Sequence, residues 1–198
     1  MHKKILLPVF LMALSSLFAQ LQEKGGGALI LEKHQVKLNL LNPGFNYEFA
    51  IGRNQTVSTG FNLFSLALPP AGYSLSPAWT SKYNYYHNLQ SRKRNGKNVS
   101  GNSGDYFGTL YSIFIPEFEI LGDINDNNFG LRFVGAVYGV QRTYPKGFSF
   151  SIEGGAGYYD GRGTESGFGP TFNLTVGWAL GKKKKKRRKE KIEYSNPR

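Results

Sequence analysis

Apolar residues recur at every second position along several stretches of the chain. In the last of them Phe172, Leu174, Val176, Trp178 and Leu180 alternate with Thr171, Asn173, Thr175, Gly177 and Ala179. Phe148, Phe150, Ile152, Ala156 and Tyr158 alternate in the same way with Ser149, Ser151, Glu153, Gly155 and Gly157, and Phe45, Tyr47, Phe49 and Ile51 with Asn46, Glu48 and Ala50. A period of two puts successive side chains on opposite faces of a strand, so each segment predicts a β-strand with one apolar face and one small or polar face. Segments 36–41, 56–68, 79–86, 106–115 and 129–143 bring the predicted total to eight. Between Phe61 and Leu68 the apolar phase slips, which predicts a bulge, and 106–115 fits either phase.

Turn chemistry arranges these strands. Gly52-Arg53-Asn54-Gln55 and Tyr144-Pro145-Lys146-Gly147 read as tight turns, each joining an even-numbered strand to the next odd one. They share one side with both chain ends, and loops 69–78, 116–128 and 160–169 fall on the other. Connection 88–104 is the exception on the short-turn side: it is long and basic, and the stretch 85–95 suits a short helix. A simple register about Pro145-Lys146 sets Tyr138 opposite Glu153 and Arg142 opposite Ser149.

Alternation alone does not say which face points inward. A soluble lipocalin-like ring turns its apolar face in, and a membrane-spanning one turns it toward lipid. The minor face carries Lys37, Glu48, Lys82, Asn84, Arg132, Arg142 and Glu153, diluted by Gly, Ala and Ser. That is too sparse for a water-facing exterior and suits a narrow, filled interior. The 25 glycines, 12 tyrosines and 15 phenylalanines, with only 19% charged residues, agree with a crowded lumen inside an aromatic exterior. The expected fold is therefore all-β: a single antiparallel up-and-down transmembrane β-barrel of about eight strands. Glu48, Arg132, Arg142 and Glu153 are its expected interior polar network. An eight-stranded interior is filled by side chains, which argues against a diffusive pore. The soluble periplasmic lipocalin-like ring is the alternative.

The two ends differ in composition from this body. Met1-His2-Lys3-Lys4 followed by the mostly apolar stretch 5–18 and Ala19 has the layout of a cleaved export signal, too short and too interrupted by Pro8 for a spanning helix. The chain thus divides into signal 1–19, strand domain 20–181 and tail 182–198. The absence of cysteine removes disulfides and any acylated cysteine after the signal. From Lys182 onward there are ten Lys or Arg and two Glu, which is +8 of the total +12. Such a run predicts a solvated, disordered tail. Lys182, Lys183, Lys184, Lys185, Lys186, Arg187, Arg188 and Lys189 are candidates to touch anionic lipid headgroups or cell-wall components. Nucleic acid is not expected as a partner of an exported chain.

Candidate chemistry is sparse. Outside the signal only His34 and His87 offer an imidazole base, and neither has a Ser and an acid placed with it in sequence. No His pair stands at ligand spacing and no phosphate-loop pattern occurs; the Asp123 to Asp126 stretch lacks the downstream Glu of a calcium loop. No catalytic, cofactor-binding or metal-binding residue is assigned. The expected role is a non-enzymatic envelope protein, with a small ring that binds or processes lipid as the alternative.

Tyr83-Asn84-Tyr85-Tyr86-His87-Asn88-Leu89, then Arg92 or Arg94, then Gly96-Lys97-Asn98 and Gly101-Asn102-Ser103-Gly104-Asp105-Tyr106, resemble a motif of small outer-membrane β-barrel proteins of Bacteroidetes-type bacteria. Gly139-Val140-Gln141-Arg142 and Asn173-Leu174-Thr175-Val176-Gly177-Trp178 are similar to later parts of those proteins, and Asn84 departs from the arginine of that pattern. Trp178-Ala179-Leu180 resembles the final-strand signal read by the outer-membrane assembly machinery. The resemblance implies fold and location, a bacterial outer membrane with both termini periplasmic, and outer-membrane lipid and that machinery as partners. It implies no activity.

Overall fold

The structure is a computed structural model that describes residues 30–68, 72–115, 120–122, 130–162 and 165–180. The expected signal, the basic tail and most of loop 116–128 lie outside these residues.

Eight long strands form one closed, ring-like antiparallel sheet: β1 (His34–Leu41), β2 (Gly44–Ala50), β3 (Gln55–Leu68), β4 (Gly72–Tyr86), β5 (Asp105–Phe114), β7 (Gly130–Thr143), β8 (Phe148–Arg162) and β9 (Gly167–Leu180). The two-residue strand β6 (Leu121–Gly122) adds to the start of β4, and helix α1 (Leu89–Arg94) lies in the connection from β4 to β5. Each long strand pairs with its sequence neighbours, and β9 pairs with β1, so none is left as an edge. A hydrogen-bonded row followed from Val36 through Tyr47, Thr59, Ser81, Tyr111, Val134 and Tyr158 ends at Phe168, twelve residues before the Leu180 that faces Val36. A stagger of this size requires tilted strands.

The apolar phase faces outward. Leu38, Phe45, Phe61, Trp79, Phe107, Tyr111, Val134, Ile152, Tyr158, Phe172 and Trp178 are all exposed, whereas Gln35, Asn39, Glu48, Thr56, Asn62, Ser76, Asn84, Gln141 and Glu153 are buried. Exterior aromatic rings pack across strands, as in Trp79 on Tyr111 and Phe148 on Trp178. The charge on this surface is paired near the strand ends: Arg132 with Asp160 and Arg142 with Asp105.

Four expectations require correction. The bulge expected in 61–68 is absent, since β3 pairs with β4 in unbroken register from Gln55 to Leu68; the irregularity lies instead between Asn39 and Leu41 at the β1–β9 seam. The apparent slip is Phe64 entering the lumen, where it meets Phe114 edge-on. β4 begins at Gly72, so most of the expected loop 69–78 is strand. Pro77 is tolerated there because its C=O bonds Ile115 N, so its missing N–H faces the end of β5 and not the β3–β4 ladder. Likewise β8 and β9 run into the expected loop 160–169.

The β7–β8 turn has three residues, not two. Gly147 adopts φ 92° and bonds Tyr144 O, while Tyr144 N bonds Phe148 O. Gly139, not Tyr138, therefore faces Glu153, and Thr143, not Arg142, faces Ser149. A one-residue slip exchanges the faces of a strand. It turns Arg132 and Arg142 outward and brings Leu131, Phe133, Val137 and Gln141 inward.

The ring is closed at the end where β1 begins and β9 finishes. Connection 87–104 folds across that mouth: Leu89 packs with Leu31, Tyr86 and Tyr106, all fully buried, and Ile30, Ala50 and Val99 cover them. Backbone polar groups of the connection bond the end of β7, with Gly101 O accepting from Gln141 Nε2 (3.1 Å) and Thr143 Oγ1 (3.1 Å). Gly101 has φ 58° and a Cβ there would stand 2.6 Å from the Thr143 side chain, so both dihedral and space demand glycine. Outside, Arg142 and Asn88 both bond Asp105, at 2.6 Å each, and pin the connection to the rim.

Gly101→Val should therefore loosen this plug without opening the ring. The expected result is a folded species of unchanged strand content whose backbone between 87 and 104 exchanges amide hydrogens faster than in the parent chain.

Candidate functional site

The lumen is organised around two buried carboxylates. Each sits on a short row in which register decides its partners. Glu48 of β2 lies near Lys37 of β1, whose Nζ donates to Glu48 Oε2 at 2.7 Å, and Tyr86 Oη donates to Glu48 Oε1 at 2.8 Å. Glu153 of β8 receives Lys82 Nζ from β4 across the lumen at 2.5 Å, Tyr106 Oη from β5 at 2.7 Å and Asn173 Nδ2 from β9 at 3.1 Å. The two halves repeat one scheme: a carboxylate, a lysine and a tyrosine, each from a different strand.

Glycine makes the second half possible. Tyr106, Gly139, Glu153 and Asn173 stand in one cross-strand row. With no side chain on Gly139, the Tyr106 ring lies over it and its hydroxyl reaches the carboxylate one strand further on. A Cβ on Gly139 would fall 2.3 Å from that ring. Tyr86 and Tyr106 pack at 5.3 Å between centroids and join the halves, and Lys82 Nζ stands 5.6 Å from the Tyr106 ring centre. Gln141 Nε2 also contacts Glu48 Oε2 at 3.5 Å.

Electrostatically the lumen is balanced: two lysines against two glutamates that are only 2% and 3% exposed. A carboxylate in such a place is tolerated only when its charge is matched and its lone pairs are occupied. Toward the opposite mouth the charges give way to amides, where Asn39, Asn46 and Asn62 bond one another. A cavity of about 50 Å³ lies among Lys37, Asn62, Lys82, Asn84, Glu153 and Thr175. That is room for a few water molecules.

Of the four residues expected to form the interior network, Glu48 and Glu153 stand in the lumen, though in separate halves. Arg132 and Arg142 are outside it: Arg132 is 58% exposed beside Asp160, and Arg142 holds the plug through Asp105. The cations facing the carboxylates are Lys37 and Lys82. Both belong to the minor face by alternation, so the signal was in the pattern. The parts played by Tyr86, Tyr106, Gln141 and Asn173 were not, because two of these are aromatic residues and the others are ordinary amides. Lys182 to Lys189 lie outside the described residues.

His34 Nδ1 shares a hydrogen bond of 2.6 Å with Tyr47 Oη, and His87 stacks against Phe107 and Tyr138 on the outer surface. Among the described residues no group of three or more His, Cys, Asp or Glu converges on one point. No family model, curated protein or solved structure matches the chain.

Removing one partner of a buried pair strands the other. Glu153→Leu should cost about 3–5 kcal/mol by leaving Lys82 uncompensated, and adding Lys82→Met should restore much of it. Urea unfolding of the two variants, with the parent chain and Lys82→Met completing a double-mutant cycle, checks this. Gly139→Ala should cost about 1–3 kcal/mol by displacing the Tyr106 ring.

Proposed function

We propose that the chain is an integral outer-membrane β-barrel protein with a structural, non-enzymatic role in the bacterial envelope. The observation that carries the proposal is the direction of the two faces: exposed Leu, Phe, Tyr and Trp on the outside, and a lumen that is mostly Lys, Glu, Asn, Ser and Thr, with one apolar cluster of Leu110, Phe133 and Val137. An apolar exterior of this extent in water would be a strong association liability, and in a bilayer it is the favourable solvent contact. Closure supports the same reading, because hydrocarbon offers no partner to an unpaired strand edge. A soluble lipocalin-like ring requires the reverse arrangement, with apolar side chains inside.

In this reading the plugged end, with the chain termini, faces the periplasm after export by the N-terminal signal. Outer-membrane lipid and the assembly machinery are the partners, and the plug and filled lumen leave the protein with no diffusive pore. The polar lumen then serves stability: the Lys82–Glu153 pair holds non-adjacent walls of the ring together where lipid supplies no hydrophobic drive between strands.

Ala136 tests the solvent of the outer face. It lies at mid-strand in β7 with its side chain exposed. Ala136→Arg should destabilise the protein by roughly 2–4 kcal/mol if lipid surrounds it. The same substitution on a water-facing strand should stay within about 0.5 kcal/mol of the parent. In parallel, the protein should fractionate with outer membranes and run faster on a gel unheated than boiled. A fully water-soluble periplasmic product overturns the proposal.

A further inference from the structure

The fold gathers positive charge at its plugged end. Lys33 precedes β1, Arg53 sits in the β2–β3 turn, Arg92, Lys93, Arg94 and Lys97 lie in or beside α1, and Lys146 lies in the β7–β8 turn. These come from four separate segments, and topology alone places them on one face. All except half-buried Arg92 are exposed, and among the described residues none of the seven is in an ion pair. Asp105 on this face is committed to Arg142. Among the described residues the opposite mouth balances Arg132 and Arg162 against Asp160 and Glu165, with Arg132 paired to Asp160.

We propose that this face is a docking surface for an extended, soluble anionic polymer. Three features select that partner. The cations are spread over four segments at one end of the ring, so a long polyanion meets many charges at once where a small anion meets few. Lys93, Arg94 and Lys97 are carried by the plug. Leu89 anchors α1 on the lumen-facing Tyr86 and Tyr106. The helix is thereby seated on the inner cluster and not on the apolar outer wall that headgroups of a surrounding bilayer would flank. Lys33, Arg53, Lys93, Arg94, Lys97 and Lys146 are also in no ion pair among the described residues, so binding there breaks no existing pair. The placement follows from the fold; the membrane reading enters only in setting aside headgroups of the protein's own leaflet.

The test uses the full chain in neutral detergent with fluorescent poly-L-glutamate and inorganic polyphosphate as probes, and vesicles containing anionic phospholipid as a separate arm. Parent protein should bind both polymers, with affinity falling tenfold or more between about 50 and about 300 mM salt, since screening shortens the reach of exposed charges. Lys93→Gln/Arg94→Gln/Lys97→Gln should weaken polymer binding at least about fivefold. Arg53→Gln/Lys146→Gln, on turns independent of the plug, should weaken it by a smaller factor. Every substituted side chain is exposed, and unchanged heat-modifiable mobility verifies the fold. Equal binding by parent and variants, binding confined to vesicles, or loss only when 182–189 is neutralised would each overturn the proposal. The membrane reading fails separately, by fractionation, so the two failures are distinguishable.

Discussion

Every long strand of this protein has a neighbour on both sides, and the backbone is thereby satisfied without help from solvent. That constraint frees the outer surface to be apolar and forces the polar residues to make their terms with one another inside. Ring closure sets the lumen's width, and width decides that side chains fill it, apart from a cavity the size of a few waters. Glycines where a chain of contacts must pass over a strand, as at Gly139, follow from the same narrowness.

Inside that space charge is handled locally. Neither glutamate relies on a distant field; each has a lysine and a tyrosine hydroxyl within hydrogen-bond distance, delivered by different strands. The consequence is cross-bracing. Lys82 and Glu153 link β4 to β8, which share no backbone hydrogen bond, so this contact ties walls that the sheet alone leaves independent. The plug does the same at one mouth, where Asn102 Oδ1 accepts from Glu32 N and the Gly101 carbonyl is held by β7.

Much of the fold was legible in the sequence, because a strand with one apolar face repeats every two residues wherever it occurs. Eight strands, their antiparallel order and the side on which the turns fall follow from that period and from turn residues. Phase was harder. In β7 both faces carry apolar residues, Val134 and Tyr138 on one and Phe133 and Val137 on the other, so alternation could not orient it. The decision lay in a single residue, Gly147, whose left-handed backbone lengthens the turn by one. Two arginines were misplaced for that reason. The plug was legible only as a long basic connection with a short helix. What docks it, Leu89 against two tyrosines and Gly101 against Thr143, depends on contacts that no local period records.

Those contacts have a kinetic side. The plug joins residues 40 and 70 positions apart in sequence, and the β1–β9 seam joins the first strand to the last. Hairpins such as β3–β4 can form early from nearby residues, but closure and plugging must wait until almost the whole chain is in place. Until then β1 and β9 are two open edges beside a row of exposed aromatic residues. Such an intermediate is prone to pair with another copy of itself. The slow step in making this protein should be the last zip between its two ends, and crowding during synthesis should harm its yield more than heat harms the finished ring.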